Sequence, residues 1–266
     1  MDPPTPSSPG ALTRALGLLT SFDAEDSELS AAELARRAGL PRSTTHRLAT
    51  ELVQKGFLER MSDGHFRLGL ALFELGQLSL LQRGLREAAN SYLADLSSAT
   101  HQRVHLAVLE GAEVVYLDVI SPSPNAHARP RIGGRLPATD TAVGKAILAF
   151  STPGQVDRVI AAGLRRLTPN SITDESQLRA ELTEIRRTGV AYDNQEQALG
   201  TSCCGAPILG RGGEVVGAIS VCGPTGVLHF NLVIAAVRFA AAGISRMQGA
   251  GSGGVIGPGA VRQTVR

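Results

Sequence analysis

Apolar positions near the start of the chain recur at helical spacing in short blocks separated by glycine. Leu34, Ala35 and Ala38 form one stripe, and Thr45, Leu48, Ala49 and Leu52 form a second at i, i+3, i+4 and i+7. Ser30-Ala31-Ala32-Glu33 has the form of a capping box, with Leu29 and Leu34 placed as its hydrophobic staple. Gly39 supplies a left-handed residue to end the first helix, and Pro41 suits the first turn of the next. After Gly56 the period changes. Phe57 to Arg60 and His65 to Leu68 predict two short strands joined by an Asp63-Gly64 turn.

Helix, tight turn, helix and hairpin in that order predict a winged helix-turn-helix. The second helix turns Ser43, His46, Arg47 and Thr50 away from its apolar stripe, a set suited to a DNA major groove. Arginine holds guanine O6 and N7 with two hydrogen bonds, and hydroxyls reach bases or phosphates. The candidate DNA-contacting residues are Arg42, Ser43, Thr44, His46, Arg47 and Thr50. Charge discriminates weakly: residues 11–72 carry eight basic and eight acidic side chains, but residues 36–60 carry six basic and two acidic. An ordinary solvated face remains the alternative for Arg42, His46 and Arg47.

Leu70 to Leu81 is leucine-rich and predicts a connecting helix over 70–84 whose apolar surface fits a homodimer contact. Leu85, Ala89, Tyr92, Leu93 and Leu96 then mark the buried face of a further helix. Residues 103–109 and 113–120 predict one antiparallel hairpin, and 206–209 with 214–221 a second. Helices are expected near 141–150, 153–162, 175–187 and 228–247. The fold class is α+β: a winged helix-turn-helix over 11–69, the connecting helix, and a domain with an antiparallel sheet over 85–247. Residues 1–10 and the glycine-rich 248–266 are expected to be disordered.

The 266 residues, 43% apolar, suffice for two cores, and a net charge of +2 places any DNA specificity in a local face. The proline-rich first ten residues lack the pattern of a secretory signal, and no apolar run reaches membrane-spanning length, so a cytoplasmic location is expected. Cys203, Cys204 and Cys222 cannot build a disulfide framework, and a reducing compartment would keep them as thiols. Adjacent Cys203 and Cys204 point to opposite sides of a strand, which disfavours one shared zinc ion. His101 and His105 lack an HExxH setting. Neither a metal nor another cofactor is expected, and no enzyme motif is present; the alternative is a sensor or enzyme using thiol or metal chemistry at Cys203, Cys204 or Cys222.

Several stretches, in order, make the chain similar to IclR-family transcriptional regulators: Glu33-Leu34-Ala35 through Gly39-Leu40-Pro41-Arg42-Ser43-Thr44, His46-Arg47-Leu48, Phe66-Arg67-Leu68-Gly69, Val104-His105-Leu106-Ala107-Val108, Thr141-Ala142-Val143-Gly144-Lys145-Ala146, and Ser220-Val221-Cys222-Gly223-Pro224. The resemblance implies a GAF-like effector-binding domain, a double-stranded DNA operator, a homodimer or tetramer, and repression relieved or imposed by a small organic acid. Arg135 to Thr141 leads into a helix whose first N–H groups can hold a carboxylate. By position the resemblance assigns Thr141, Ala142, Val143, Asp193, Cys203, Ser220 and Cys222 to the effector. Thr141 could equally cap its helix, Asp193 serve a turn, and Ser220 and Cys222 fill a core. Thr139, Thr201, Ser202 and Cys222 depart from the residue types usual in that family, so the resemblance does not name the ligand.

Overall fold

The structure is a computed structural model that describes residues 10–23, 25–122, 130–227 and 230–250. It divides into two units, Met1–Arg83 and Gly84–Arg266. No helix among the described residues is long and apolar enough to cross a membrane.

The first unit contains α1 (Ala11–Leu19), β1 (Glu28–Leu29), α2 (Ala31–Arg37), α3 (Arg42–Gln54), β2 (Leu58–Arg60), β3 (Phe66–Leu68) and α4 (Leu70–Gln77). Leu18, Leu29, Leu34, Leu48, Ala49, Leu58 and Phe66 form its core. Ser30 caps α2 by accepting from the Glu33 N–H at 3.2 Å. The second half of the expected capping box is replaced: the Glu33 carboxylate accepts from Arg36 at 2.6 Å and Arg37 at 2.8 Å. Charge-assisted bonds to guanidinium outcompete one neutral backbone donor. Arg37 also pairs with Asp23 and Asp26, which ties the loop before β1 to α2. Gly39 takes φ +64°, and the Leu40 N–H returns to the Ala35 carbonyl at 2.9 Å, closing α2 before the turn into α3. Strand β1, which the sequence pattern did not announce, pairs with β3 through Leu29 and Phe66, making β3 the middle of three strands.

The single connecting helix expected over 70–84 is instead two. Helix α4 stops at Gln77, the Leu78 and Ser79 N–H groups bond back only three residues, and the Ser79 carbonyl accepts from Arg83 to open α5 (Leu80–Thr100). The apolar run masks this break because leucine favours both helices.

In the second unit β4 (Arg103–Glu110), β5 (Glu113–Ile120), β6 (Arg135–Pro137), α6 (Ala142–Phe150), α7 (Pro153–Ala161), α8 (Glu175–Thr188), β7 (Ala191–Asn194), β8 (Thr201–Leu209), β9 (Val215–Pro224) and α9 (Phe230–Ala250) follow α5. Six strands pair antiparallel in the order β6-β5-β4-β9-β8-β7. Strand alternation splits the core. Val104, Leu106, Cys204, Ala206, Ile219 and Val221 pack with Leu93 of α5 and Ile244 of α9. Ala107 and Ala218 belong to a second core with Val143, Leu148, Leu178 and Ile185 from α6 and α8. Strands β6 and β7 were not anticipated, and β8 begins five residues before the expected 206. Its first half, Thr201-Ser202-Cys203-Cys204-Gly205, has too little apolar alternation to announce a strand. Helix α9 continues through Gln248 to Ala250, so the expected disordered tail does not begin at 248. The rest of that tail, 251–266, and residues 1–9 lie outside the described residues.

Candidate functional site

Helix α3 buries Thr45, Leu48 and Ala49. It leaves Arg42, Ser43, His46, Arg47 and Thr50 exposed, with Thr44 half-buried. Arg47 pairs with Glu51 at 2.7 Å, and both side chains are more than half exposed (60% and 58%). Such a pair is worth at most about 1 kcal/mol, so a base edge or phosphate can replace Glu51 at little cost. Thr50 donates to the His46 carbonyl at 2.9 Å, leaving lone pairs on its oxygen toward solvent. Arg36 and Arg37, part of the local basic excess, are occupied by carboxylates of their own unit.

The second candidate site is built from strand register. Asp193, Cys203, Cys222 and Arg103 lie side by side across β7, β8, β9 and β4, and the next row of the same sheet face runs Gly205, Ser220, His105. A side chain at Gly205 would bring its Cβ to 3.2 Å from the Ala142 carbonyl. Lacking one, β8 lets the start of α6 lie against the sheet. Gly144 makes a comparable approach on the other side, where a Cβ would fall 2.1 Å from the Ala138 carbonyl oxygen. Between the α6 start and the two rows is a cavity of about 340 Å³, lined by all seven expected residues, Thr141, Ala142, Val143, Asp193, Cys203, Ser220 and Cys222.

Thr141 caps α6 by accepting from the Gly144 N–H at 3.1 Å. Among the described residues nothing accepts from the N–H groups of Ala142 and Val143. Those donors, at the positive end of the helix dipole, suit an anion. Capping and ligand-facing readings of Thr141 are therefore compatible. Asp193 likewise serves a turn, accepting from Glu196 N–H at 2.8 Å, while its carboxyl lines the cavity. Burial, reinforced by the nearby Glu196 charge, pushes the Asp193 carboxyl up to about 7. Burial and Arg103 push His105 down to about 3, so its imidazole is neutral at pH 7. Nδ1 of His105 lies 3.3 Å from Ser220 Oγ, and Nε2 has no partner among the described residues.

The expectation that all three cysteines stay thiols is corrected. Cys203 and Cys222 are disulfide-bonded, with Cα atoms 4.1 Å apart, because β8 and β9 place them directly opposite on one sheet face. Cys204 points to the other face, buried and unpaired, and burial pushes its thiol up to about 12. Among the described residues no cluster of three or more His, Cys, Asp or Glu could hold a metal ion.

Sequence reasoning missed Arg103, His105, Tyr116, Leu136 and Gln197, which also line the cavity. Along β4, His105 lies on the sheet face opposite Leu106. Only the β4–β9 register, a contact across 115 positions of chain, sets it beside Ser220.

The description of the IclR helix-turn-helix domain matches residues 11–62, and that of the bacterial transcriptional regulator IclR C-terminal domain matches residues 77–246. The chain belongs to the IclR family. Its IclR-family relatives include the transcriptional repressor IclR of Escherichia coli K12, 33% identical over 218 residues and covering 80% of each chain. The acetate operon repressor of Salmonella typhimurium is 32% identical, again over 80% of each chain. Among solved structures, an IclR homologue from Microbacterium hydrocarbonoxydans complexed with 4-hydroxybenzoate superposes with a TM-score of 0.85 at 30% identity, covering 91% of this chain and all of that one. This IclR-family chain is a ligand-responsive DNA-binding transcriptional regulator, with its helix-turn-helix DNA-binding domain in the first unit and its effector-binding domain in the second.

Proposed function

We propose that the chain is a dimeric repressor, working in the cytoplasm, whose effector is a small organic acid held in the cavity between α6 and the sheet. The observation that carries this reading is the meeting there of groups unmatched among the described residues: two open N–H groups at the α6 start and a buried imidazole nitrogen. A carboxylate accepts from the Ala142 and Val143 N–H groups, and the remainder of the molecule lies against Tyr116, Leu136 and Val143. The neutral His105 and Ser220 meet a second polar group. The bound 4-hydroxybenzoate of the Microbacterium homologue, an acid with a polar group at its far end, supports this class. The site binds without converting its ligand, and neither a metal nor another cofactor takes part.

On the DNA side Arg42, Ser43, Thr44, His46, Arg47 and Thr50 contact one operator half-site. The segment 70–84 joins the winged domain, 11–69, to the effector domain, 85–247, and carries the change between them. The acid shifts operator affinity by no more than its own difference in affinity for the two arrangements. The test is a mobility shift on DNA flanking the chain's own gene, with acetate, pyruvate, benzoate and 4-hydroxybenzoate, and with benzamide as a neutral control. The expected result is a specific shift relieved by at least one acid, recovered unchanged, and not by benzamide. A shift indifferent to every acid removes the effector reading, and no specific shift removes the regulator reading of this face. Ser220→Phe should abolish the acid response while leaving the shift itself.

A further inference from the structure

The two sulfurs on the cavity floor give the effector site a second input. We propose that Cys203 and Cys222 are a reversible thiol–disulfide couple that exchanges with low-molecular-weight disulfides and thiols of the glutathione class and thereby sets how well the cavity holds its acid. The last clause rests on the effector reading above; the couple itself does not.

Geometry makes closure easy and exchange selective. The two residues are opposite one another on adjacent strands, Cα to Cα 4.1 Å, so the bond forms without moving the backbone. Both face the cavity, which gives a small thiol a path to them. Cys203 is 5% exposed, whereas Cys222 is half-buried and nearer the solvent, so an external reagent meets Cys222 first. In oxidation the Cys222 thiolate attacks one sulfur of an external disulfide and expels one thiolate, leaving a mixed disulfide. The Cys203 thiolate then attacks Cys222 Sγ, forming the protein disulfide and expelling the second thiolate. The two protons lost by the protein end on the two small thiols, and the external disulfide has taken up two electrons. Two small thiols reverse the sequence. Cys204, buried on the opposite sheet face, takes no part.

The two states present different surfaces to a ligand. As thiols, Cys203 and Cys222 offer two S–H donors to the cavity, one of them toward Asp193 Oδ2, 3.7 Å from Cys203 Sγ. As a disulfide they offer none and are drawn together. An acid therefore binds the dithiol form better, and oxidation weakens its hold.

The experiment uses the full chain equilibrated in glutathione buffers from fully reduced to fully oxidised, then alkylated with iodoacetamide and weighed intact. Wild type should pass between a form taking two alkyl groups without denaturation and a form taking none. Cys203→Ser and Cys222→Ser should each lose that two-group transition. A pair that stays fully thiol in glutathione disulfide, or fully bonded in reduced glutathione, overturns the couple. Calorimetry with benzoate and 4-hydroxybenzoate on both forms tests the consequence: binding at least tenfold weaker when oxidised is expected, and equal binding overturns the gating. If neither acid binds either form, the effector reading falls while the mass result still decides the couple. The gating is then judged from the DNA mobility-shift midpoints of the two forms, and equal midpoints overturn it.

Discussion

Lys145 has no exposed side-chain surface, and its ammonium lies 2.5 Å from Glu181 and 2.7 Å from Glu196. It belongs to α6, while the Glu196 N–H holds Asp193 at the cavity, so one ion cluster ties the helix start to the acid on the floor. Removing one partner strands buried charge, which costs about 3 to 5 kcal/mol. Lys145→Met should lose that much in urea unfolding; a loss under about 1 kcal/mol would show that the carboxylates find water instead. Asp193 makes a pH prediction. Unfolded, its carboxyl ionises near 4, whereas in the fold it keeps its proton to about 7. The folded state thus binds the extra proton between these values. Stability from this group is complete at acid pH and declines as pH rises through about 7, by linkage. Melting temperatures of wild type should fall relative to Asp193→Asn across that window, and acid binding should weaken above pH 7 in wild type but stay flat in the variant. Parallel curves would remove the raised carboxyl from the account. The seven cavity-lining residues proposed for the effector could be named from resemblance, but His105 and Arg103 could not. Their position depends on which strands become neighbours, and alternation within one strand says nothing of that.

Helix α6 is the element on which the cavity depends, and two glycines set its position. Alanine is favoured over glycine in a helix by about 1 kcal/mol, yet at Gly144 the added Cβ would meet the Ala138 carbonyl oxygen at 2.1 Å. Backbone cannot yield as a flexible side chain does, so strain exceeds propensity. Gly144→Ala should lose about 1 to 3 kcal/mol, read by denaturant unfolding. A stabilised variant would mean that α6 stands farther from the turn. Helix α3 makes the matching prediction for DNA. Arg47→Ala should weaken specific operator binding by about 1 to 3 kcal/mol while leaving nonspecific binding nearly unchanged, if Arg47 reads a base. An equal loss on both kinds of DNA would make it a phosphate contact. Helices α2 and α3, the β2–β3 hairpin and most of the second unit's helices were legible in the sequence because cap, stripe and stop agree there. Strands β1, β6 and β7 were not. Each is two to four residues long and exists through its partner, so it has no period of its own. The break between α4 and α5 was hidden because both sides are rich in leucine.

At the scale of the molecule, apolar surface is left over. Leu12 and Leu16 on α1, Leu70, Phe73 and Leu75 on α4, and Leu78 at its end are each at least half exposed, all within the first unit. Scattered leucines on a surface are ordinary, but this many on two helices of one small unit are what we propose as an interaction surface. A second copy is the occupant that fits the proposed function. In the proposed dimer a two-fold axis would set two α3 faces on half-sites about 34 Å apart, so that each winged domain would contribute to one operator. This also accounts for a DNA-binding unit with no net basic charge: residues 11–72 balance eight basic against eight acidic side chains, so one weakly steered face gains from being doubled. Phe73→Glu puts a charge into that surface without touching α3. Sedimentation should show wild type as a dimer and the variant as monomer at the same concentration. The variant should then lose operator binding by at least tenfold, while a fused tandem of two variant chains should regain most of it. A wild-type monomer that binds its operator tightly, or a Phe73→Glu chain that still sediments as a dimer, would move the contact elsewhere and leave these leucines to another partner.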